Sequence, residues 1–159
     1  MFNVEKHPGN KQEQYTLLHK QLVALIEDEK NQIANLSNAS ALLNQFLPDV
    51  NWVGFYLVED DELILGPFQG LPACVRIPFG KGVCGTSAAN KTTLRIADVH
   101  QFPGHIACDA ASQSEIVIPL IKNEEIIGVL DIDSPMTNRF DAEDQQGLEE
   151  FAAILSRYL

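Results

Sequence analysis

The chain has 159 residues, with 11 Lys and Arg against 22 Asp and Glu, and its net charge of −11 repels nucleic acid phosphates and anionic lipids alike. This length suits one domain and leaves no room for a separate output or DNA-binding unit. No apolar run approaches the roughly 20 residues of a membrane span, and residues 1–10 lack the apolar segment of a signal peptide. We therefore expect a cytoplasmic protein that binds neither nucleic acid nor membrane.

The first third of the chain shows the apolar spacing of helices. One stripe comprises Leu17, Leu18, Leu22, Leu25 and Ile26, and a second comprises Ile33, Leu36, Leu42, Leu43 and Phe46. This spacing predicts two helices within residues 12–46. Pro48 and Asp49 end the second helix, so residues 1–50 form an N-terminal helical part.

The pattern changes to that of a sheet after this point. Alternation with aromatic residues and short apolar runs predict strands at residues 52–58, 63–65, 75–77 and 93–96. Gly and Pro predict an irregular loop at residues 66–72, and a short helix is expected at residues 83–89. Residues 98–114 show little periodicity, and a loop of that length in a compact domain is usually functional or mobile.

The C-terminal part predicts a hairpin followed by a helix. The strongest strands are residues 125–133 and 115–121, with polar residues between them. Residues 141–159 have helical spacing, with Asp141 as N-cap. The order of elements predicts a single α+β domain with a mainly antiparallel sheet and the N- and C-terminal helices packed on one face.

The three cysteines, Cys74, Cys84 and Cys108, lie in the loop-rich middle of the chain. An odd number in a reducing compartment argues against a permanent disulfide framework. Thiol chemistry, metal ligation and simple burial remain as alternatives. His100 and His105 lie near Cys108, but the chain has no Cys-x-x-Cys motif, so we expect no bound metal.

Cys84 and Cys108 are equal candidates for a nucleophile on chemical grounds. Cys84 lies at a predicted helix start, where backbone N–H groups lower the pKa of a thiol. Cys108 lies beside Asp109 and close to His105 in the long loop, which could close over a ligand. Cys74 follows the loop at residues 66–72, whose backbone could bring a second sulfur within bonding distance.

Carboxylates extend the apolar face of the last predicted strand. Side chains alternate across a strand, so Asp131 and Asp133 share a face with Val129. Two such acids raise each other's pKa or clamp a cation, unless they merely solvate the strand end. Glu115 joins this face if the hairpin has a three-residue loop at residues 123–125 or an equivalent bulge, whereas a two-residue loop points it away.

The first predicted strand carries two large aromatic residues on one face. Trp52 and Tyr56 are four positions apart, so their side chains project from the same side. They could form the wall of a ligand site, and an ordinary core pair explains them equally well.

Several short segments become recognisable when they are taken together: GPFQG at 66–70, AC at 73–74, GVCGT at 82–86, DV at 98–99, FPGHIACD at 102–109, SEIV at 114–117 and GVLDIDS at 128–134. They resemble the free methionine-(R)-sulfoxide reductase family. The resemblance runs from about Asn51 to the C-terminus and includes all three cysteines and the three carboxylates. It implies a GAF fold for residues 1–159, with helices in residues 1–50 and the sheet, loops and terminal helix in residues 51–159, around a largely enclosed pocket.

The resemblance also implies roles for individual residues. Cys108 would be the nucleophile, Cys74 the main resolving thiol and Cys84 a secondary thiol. The three acids, Glu115, Asp131 and Asp133, would bind substrate and serve in catalysis, and Trp52 and Tyr56 would line the methyl and sulfoxide end of the substrate. A neutral carboxyl group suits the protonation that a leaving sulfoxide oxygen needs.

The implied reaction reduces free L-methionine (R)-sulfoxide to methionine through a cysteine sulfenic acid and an intramolecular disulfide. We expect thioredoxin as the external reductant and no cofactor, and a homodimer is compatible with the sequence. One alternative is a GAF-type regulatory module that binds a small molecule, although such a module needs an output domain. The other is a thiol peroxidase or redox sensor, for which the acids are superfluous.

Overall fold

The computed structural model describes residues 9–106 and 109–159. The helices and strands in these ranges are α1 (Lys11–Ile26), α2 (Gln32–Phe46), β1 (Trp52–Glu59), β2 (Glu62–Gln69), β3 (Arg76–Pro78), α3 (Gly82–Asn90), β4 (Leu94–Ile96), β5 (Ser114–Lys122), β6 (Glu125–Ser134) and α4 (Ala142–Arg157). A short 3-10 helix, Val99–Gln101, interrupts the long loop before β5. No helix in the described part of the chain is long and apolar enough to cross a membrane.

The strands form one antiparallel sheet in the spatial order β3-β2-β1-β6-β5-β4. The side chains of β1 point alternately into two apolar cores on opposite faces of the sheet. Val53 and Phe55 face α1, α2 and α4, whereas Trp52 and Tyr56 face α3 and the loops. The predicted α+β class and the packing of the N- and C-terminal helices on one face are confirmed. The opposite face is left for a cavity.

Strand β2 is longer than the sequence predicts. Residues 66–72 were expected to be irregular, but β2 continues to Gln69. The register between β1 and β2 shifts opposite Phe55, so Gly66 and Pro67 form a bulge. Pro67 lacks an N–H, and β3 pairs only with residues 62–64, so this part of β2 needs no ladder hydrogen bond on that side. The expected irregular segment is therefore confined to the residues after Gln69.

The hairpin between β5 and β6 closes with a two-residue turn. Lys122 pairs with Glu125, so of the two arrangements that would place Glu115 on the face of Asp131 and Asp133, the three-residue loop is absent. Asn123 and Glu124 between them have φ angles of 53° and 67°. Two successive positive φ angles are the geometry of a type I′ turn, which matches the twist of the flanking strands.

A bulge between Leu120 and Ile121 then shifts the register of this hairpin by one residue. Without it, the two-residue turn would point Glu115 to the helical face of the sheet. With it, Glu115 pairs with Asp133. Asp131 lies on the same face because it is two residues before Asp133. The equivalent bulge that the sequence required is therefore present.

Asp144 is a buried residue in the first turn of α4, and its carboxylate links α4 to α1 and to the segment before α4 by hydrogen bonds. Asp141 is the N-cap, as predicted, and forms a capping box with Asp144. The carboxylate of Asp144 accepts hydrogen bonds from the Tyr15 hydroxyl at 2.7 Å, from Lys11 Nζ at 3.0 Å and from Arg139 at 3.3 Å. This network stabilises the helical side of the sheet.

Candidate active site

A cavity lies on the face of the sheet opposite α1, α2 and α4. Its wall is formed by Trp52, Tyr56, Leu71, Pro72, Ala73, Ile77, Lys81, Gly82, Val83, Cys84, His105, Ile106, Asp109, Ser112, Glu115, Asp131 and Asp133. All five residues that the sequence assigned to substrate binding line this cavity, and so does Cys84. The fold therefore brings together residues that are up to 81 positions apart, from Trp52 to Asp133.

The three carboxylates lie together on the cavity face of the hairpin. Glu115 on β5 is paired with Asp133 on β6. Glu115 and Asp131 are 5% and 6% exposed, and Asp133 is half-buried. Oδ1 of Asp131 has no hydrogen-bond partner among the described residues. Acids buried this deeply are expected to be neutral or to face a cationic ligand.

Burial favours the neutral form of these carboxyl groups. It raises the pKa of Glu115 to about 8, and the charge of Asp133 adds to this shift. Burial also raises the pKa of Asp131 and of Asp133 well above the usual range, and repulsion from Glu115 and from Asp131, respectively, reinforces it. At neutral pH the cluster therefore retains protons, which makes it a potential general acid.

Cys84 lies on the first turn of α3 and faces the carboxylates. Its Sγ is 4.0 Å from Oε1 of Glu115, and it forms no disulfide. Burial raises the pKa of this thiol well above its ordinary value, and the charges of Asp131 and Glu115 raise it further. These effects outweigh the helix N-terminus, so the low thiol pKa predicted for Cys84 is wrong.

The two cavity aromatic residues hold the segment that carries Cys74. Nε1 of Trp52 donates a hydrogen bond of 3.1 Å to the carbonyl oxygen of Leu71. The hydroxyl of Tyr56 donates one of 3.0 Å to the carbonyl oxygen of Cys74. Cys74 itself is disulfide-bonded. It does not line the cavity, but its neighbour Ala73 does.

Cys108, which the resemblance implies as the nucleophile, lies outside the described residues. On either side of the gap at residues 107–108, Ile106 and Asp109 both line the cavity. The part of the loop that the structure describes therefore borders the same site as the carboxylates.

Trp52 and Tyr56 form an aromatic wall of the cavity. Their ring centroids are 5.9 Å apart, and Trp52 also stacks on Phe68 at 5.1 Å. Gly54 permits this packing, because a Cβ at that position would approach Cη2 of Trp52 to 2.7 Å. Both residues line the cavity and both are also buried members of the apolar core beside it, so the structure is compatible with both alternatives that the sequence left open.

Polar contacts at the cavity include residues that the sequence did not single out. Nδ2 of Asn51 donates to Oδ2 of Asp109 at 3.0 Å and to Oγ of Ser112 at 3.1 Å. Asn51 and Asp109 are 58 positions apart, so no local pattern could reveal the pair. In the sequence, only the position of Asp109 beside Cys108, in the segment at residues 102–109 that resembles the reductase family, indicated that Asp109 lies near the site.

His105 contacts the acid cluster from the loop. Its Nε2 is 3.6 Å from Oε2 of Glu115. Burial lowers the pKa of His105, and the negative charge of Asp131 opposes this effect. The sequence identified His105 only as a neighbour of Cys108 and as a zinc ligand to be set aside.

Comparison with known proteins places this geometry in context. A family model of the GAF domain matches residues 31–159. The chain is 57% identical over 150 residues to the free methionine-R-sulfoxide reductase of Escherichia coli K12, covering 94% of this chain and 91% of that protein. It is 63% identical over 161 residues to Protein YtsP of Bacillus subtilis strain 168, covering 100% of this chain and 99% of that protein.

A solved structure matches the whole arrangement. The X-ray structure of free methionine-R-sulfoxide reductase from Neisseria meningitidis, in complex with its substrate, superposes with a TM-score of 0.95 at 43% identity. The match covers 99% of this chain and 95% of that one. The fold is therefore that of a family with solved members.

Proposed function

The chain belongs to the free methionine-R-sulfoxide reductases, oxidoreductases with a GAF domain, and on this premise we propose that it reduces free L-methionine (R)-sulfoxide to methionine. The observation that carries the proposal is the cluster of Glu115, Asp131 and Asp133 beside an aromatic wall in one cavity. The substrate brings together an ammonium group and a polar sulfoxide that carries an apolar methyl group. The cavity presents acidic and aromatic side chains next to one another, since Trp52 on β1 is paired with Asp133 on β6.

The acids have two tasks in this proposal. One or more ionised carboxylates bind the substrate ammonium group through charge-assisted hydrogen bonds, in a site of low dielectric constant. A neutral carboxyl group protonates the sulfoxide oxygen while the sulfur is attacked. The raised pKa of Glu115, about 8, keeps such a proton available at neutral pH.

We assign the nucleophile to Cys108 and the resolving thiol to Cys74. The Cys108 thiolate attacks the sulfoxide sulfur, the oxygen passes to the cysteine sulfur, and methionine leaves with Cys108 as a sulfenic acid. The Cys74 thiol then displaces the hydroxyl group as water and forms a disulfide. Two electrons from an external dithiol, which we take to be thioredoxin, reduce that disulfide. The buried, high-pKa Cys84 suits a secondary role.

This reaction needs no metal, flavin or nucleotide, since both electrons come from thiols, and it suits a reducing cytoplasm. A regulatory module of the same fold would also bind a small molecule, but it has no need for a cluster of neutral acids. A thiol peroxidase would need the cysteines alone. The acid cluster is therefore the feature that separates the reductase from both alternatives.

Single-turnover chemistry tests the cysteine roles. With the reduced protein and no recycling system, Cys74→Ser should still release about one equivalent of methionine, whereas Cys108→Ser should release none. Cys84→Ser is the matched control and should release about one equivalent while keeping steady-state turnover with thioredoxin. Methionine release by Cys108→Ser would reject the nucleophile assignment.

A further inference from the structure

The cavity contains a compact set of buried metal-ligating atoms. Sγ of Cys84 and one carboxylate oxygen each of Glu115 and Asp131 all lie within 4.8 Å of one another. The three residues come from α3, β5 and β6, and each is at most 6% exposed. They form a donor set of one sulfur and two oxygens on a helix and two strands.

A second observation indicates that this donor set faces a cation. Oδ1 of Asp131 lines the cavity and has no hydrogen-bond partner within the described ranges. An orphaned buried polar atom costs about 1–3 kcal/mol, and a bound cation would remove that cost. Nε2 of His105, with a side chain only 15% exposed, lies 3.6 Å from Oε2 of Glu115 but outside this set of mutually close donors, so it must move toward the other donors to supply a nitrogen ligand.

The donor types select the kind of ion. Ca²⁺ and Mg²⁺ prefer sets made of oxygen alone, so a sulfur and an imidazole nitrogen argue against them. Zn²⁺ takes sulfur, nitrogen and carboxylate oxygen together at about 2.0–2.3 Å in a tetrahedron. Ligand atoms in such a site are roughly 3.3–3.8 Å apart, so donors now up to 4.8 Å apart need to contract by about 1 Å.

We propose that the substrate-free cavity binds one Zn²⁺ ion through Cys84, Glu115 and Asp131, with His105 as the fourth ligand. Binding replaces the thiol proton of Cys84 and the protons that Glu115 and Asp131 retain at neutral pH, and all of these protons are released to solvent. The ion occupies the carboxylates to which the proposed function assigns the substrate ammonium group. Zn²⁺ and free methionine sulfoxide therefore exclude one another, a consequence that rests on that function.

The test uses the full chain with the Cys74 disulfide intact and no added thiol, so that Cys84 supplies the thiolate. Zn²⁺ binding is measured by calorimetry, and Co²⁺ replaces Zn²⁺ as an optical probe. We expect about one equivalent of metal and a sulfur-to-cobalt charge-transfer band in the near ultraviolet. No saturable binding, or binding without that band, would overturn the proposal.

Variants identify the ligands. Cys84→Ser should abolish the charge-transfer band, and Asp131→Asn should weaken Co²⁺ binding by at least about tenfold. Asp109→Asn is the matched control, because Asp109 lines the same cavity but is hydrogen-bonded to Asn51 outside the donor set. Its affinity should stay within about twofold of the unmodified protein. Equal affinities for Asp131→Asn and Asp109→Asn would contradict the proposed ligand set.

Competition tests the overlap with substrate. Free methionine (R)-sulfoxide should displace Co²⁺ from the disulfide form, which cannot turn over. Alanine, which chelates Co²⁺ equally through its amine and carboxylate, is the control and should displace far less. Failure of displacement would overturn the shared site. Intact Zn²⁺ binding in a protein that reduces no methionine sulfoxide would instead contradict the proposed function and support the metal site alone.

Discussion

The hydroxyl of Tyr56 donates a hydrogen bond of 3.0 Å to the carbonyl oxygen of Cys74. Tyr56 also stacks on Trp52, and Nε1 of Trp52 donates a hydrogen bond to the carbonyl oxygen of Leu71, three residues before Cys74. The wall of the substrate cavity is thus also the support of the segment that carries the proposed resolving thiol. A change at this wall should affect recycling separately from the first chemical step.

Tyr56→Phe should slow disulfide formation while leaving the first release of methionine nearly unchanged. The lost hydrogen bond is worth about 0.5–1.5 kcal/mol, so we expect a decrease of up to about tenfold in the resolving rate. Rapid-quench measurement of methionine release and of free thiols separates the two steps. Tyr15→Phe removes a buried hydroxyl on the helical side and should alter neither rate. Equal losses in both steps would contradict the supporting role of Tyr56.

Gly54→Ala should impair the cavity by displacing Trp52. The added Cβ would approach Cβ of Phe68 on β2 closely and Cη2 of Trp52 to 2.7 Å, so both β2 and the ring must move. We expect kcat/KM for free methionine sulfoxide to fall by roughly tenfold to a hundredfold. Gly66→Ala is the control, because its Cβ meets the carbonyl oxygen of Phe55 at 3.1 Å and does not approach Trp52. Steady-state kinetics of both variants measure this effect. An unchanged kcat/KM in Gly54→Ala would contradict the assignment of Trp52 to the substrate site.

Glu115 should make the folding free energy depend on pH. Its pKa rises from 4.5 to about 8 on folding. Between these values the folded protein retains a proton that the unfolded chain releases, so stability is greatest below about pH 4.5 and falls as the pH rises through about 8. The fall can reach about 5 kcal/mol.

The substitution Glu115→Gln removes this titration and should reduce the slope of the pH profile, to which Asp131 and Asp133 also contribute. Urea denaturation at about pH 5 and about pH 9 measures the free energy of unfolding of both proteins. We expect the variant to gain stability relative to the unmodified chain at the higher pH. Glu62→Gln, at an exposed ion pair with Arg76, is the control and should keep the original slope. A Glu115→Gln profile parallel to the unmodified one would show that Glu115 does not hold the proton.

Asp144→Ala should destabilise the fold without changing the chemistry of the cavity. It leaves Tyr15, Lys11 and Arg139 without their shared carboxylate, and breaking such a buried pair costs about 3–5 kcal/mol. Asp141→Ala removes the N-cap and an exposed ion pair with Lys11 and should cost about 1 kcal/mol. Urea denaturation measures both values, and kcat/KM below the unfolding transition should stay within about twofold. A cost of Asp144→Ala no greater than that of Asp141→Ala would contradict the network.

Period-two alternation predicted the shared face of Asp131 and Asp133, because it depends on local geometry alone. The position of Glu115 depended on one residue of register, which a bulge at Leu120 and Ile121 supplies. Apolar alternation on either side of a bulge looks regular. The sequence could therefore show that Glu115 needs a one-residue register shift to reach this face, but not that a bulge supplies it.

Other features depended on contacts between distant segments. The bulge at Gly66 and Pro67 lets β2 continue where composition indicated a loop. The predicted low pKa of Cys84 considered the helix start but not its burial against Glu115 and Asp131. Burial of a side chain is set by the whole fold, which is why local reasoning failed at this residue.

Substrate discrimination tests the proposed function most directly. Methionine formation is measured with thioredoxin, its reductase and NADPH, using the R and S sulfoxides of free methionine and the N-acetylated R sulfoxide, which lacks the ammonium group. The acid cluster predicts turnover of the free R sulfoxide and kcat/KM at least about a hundredfold lower for the N-acetylated compound. Equal kcat/KM for the free and N-acetylated R sulfoxides, or NADPH consumption with a peroxide but not with the free R sulfoxide, would contradict the account.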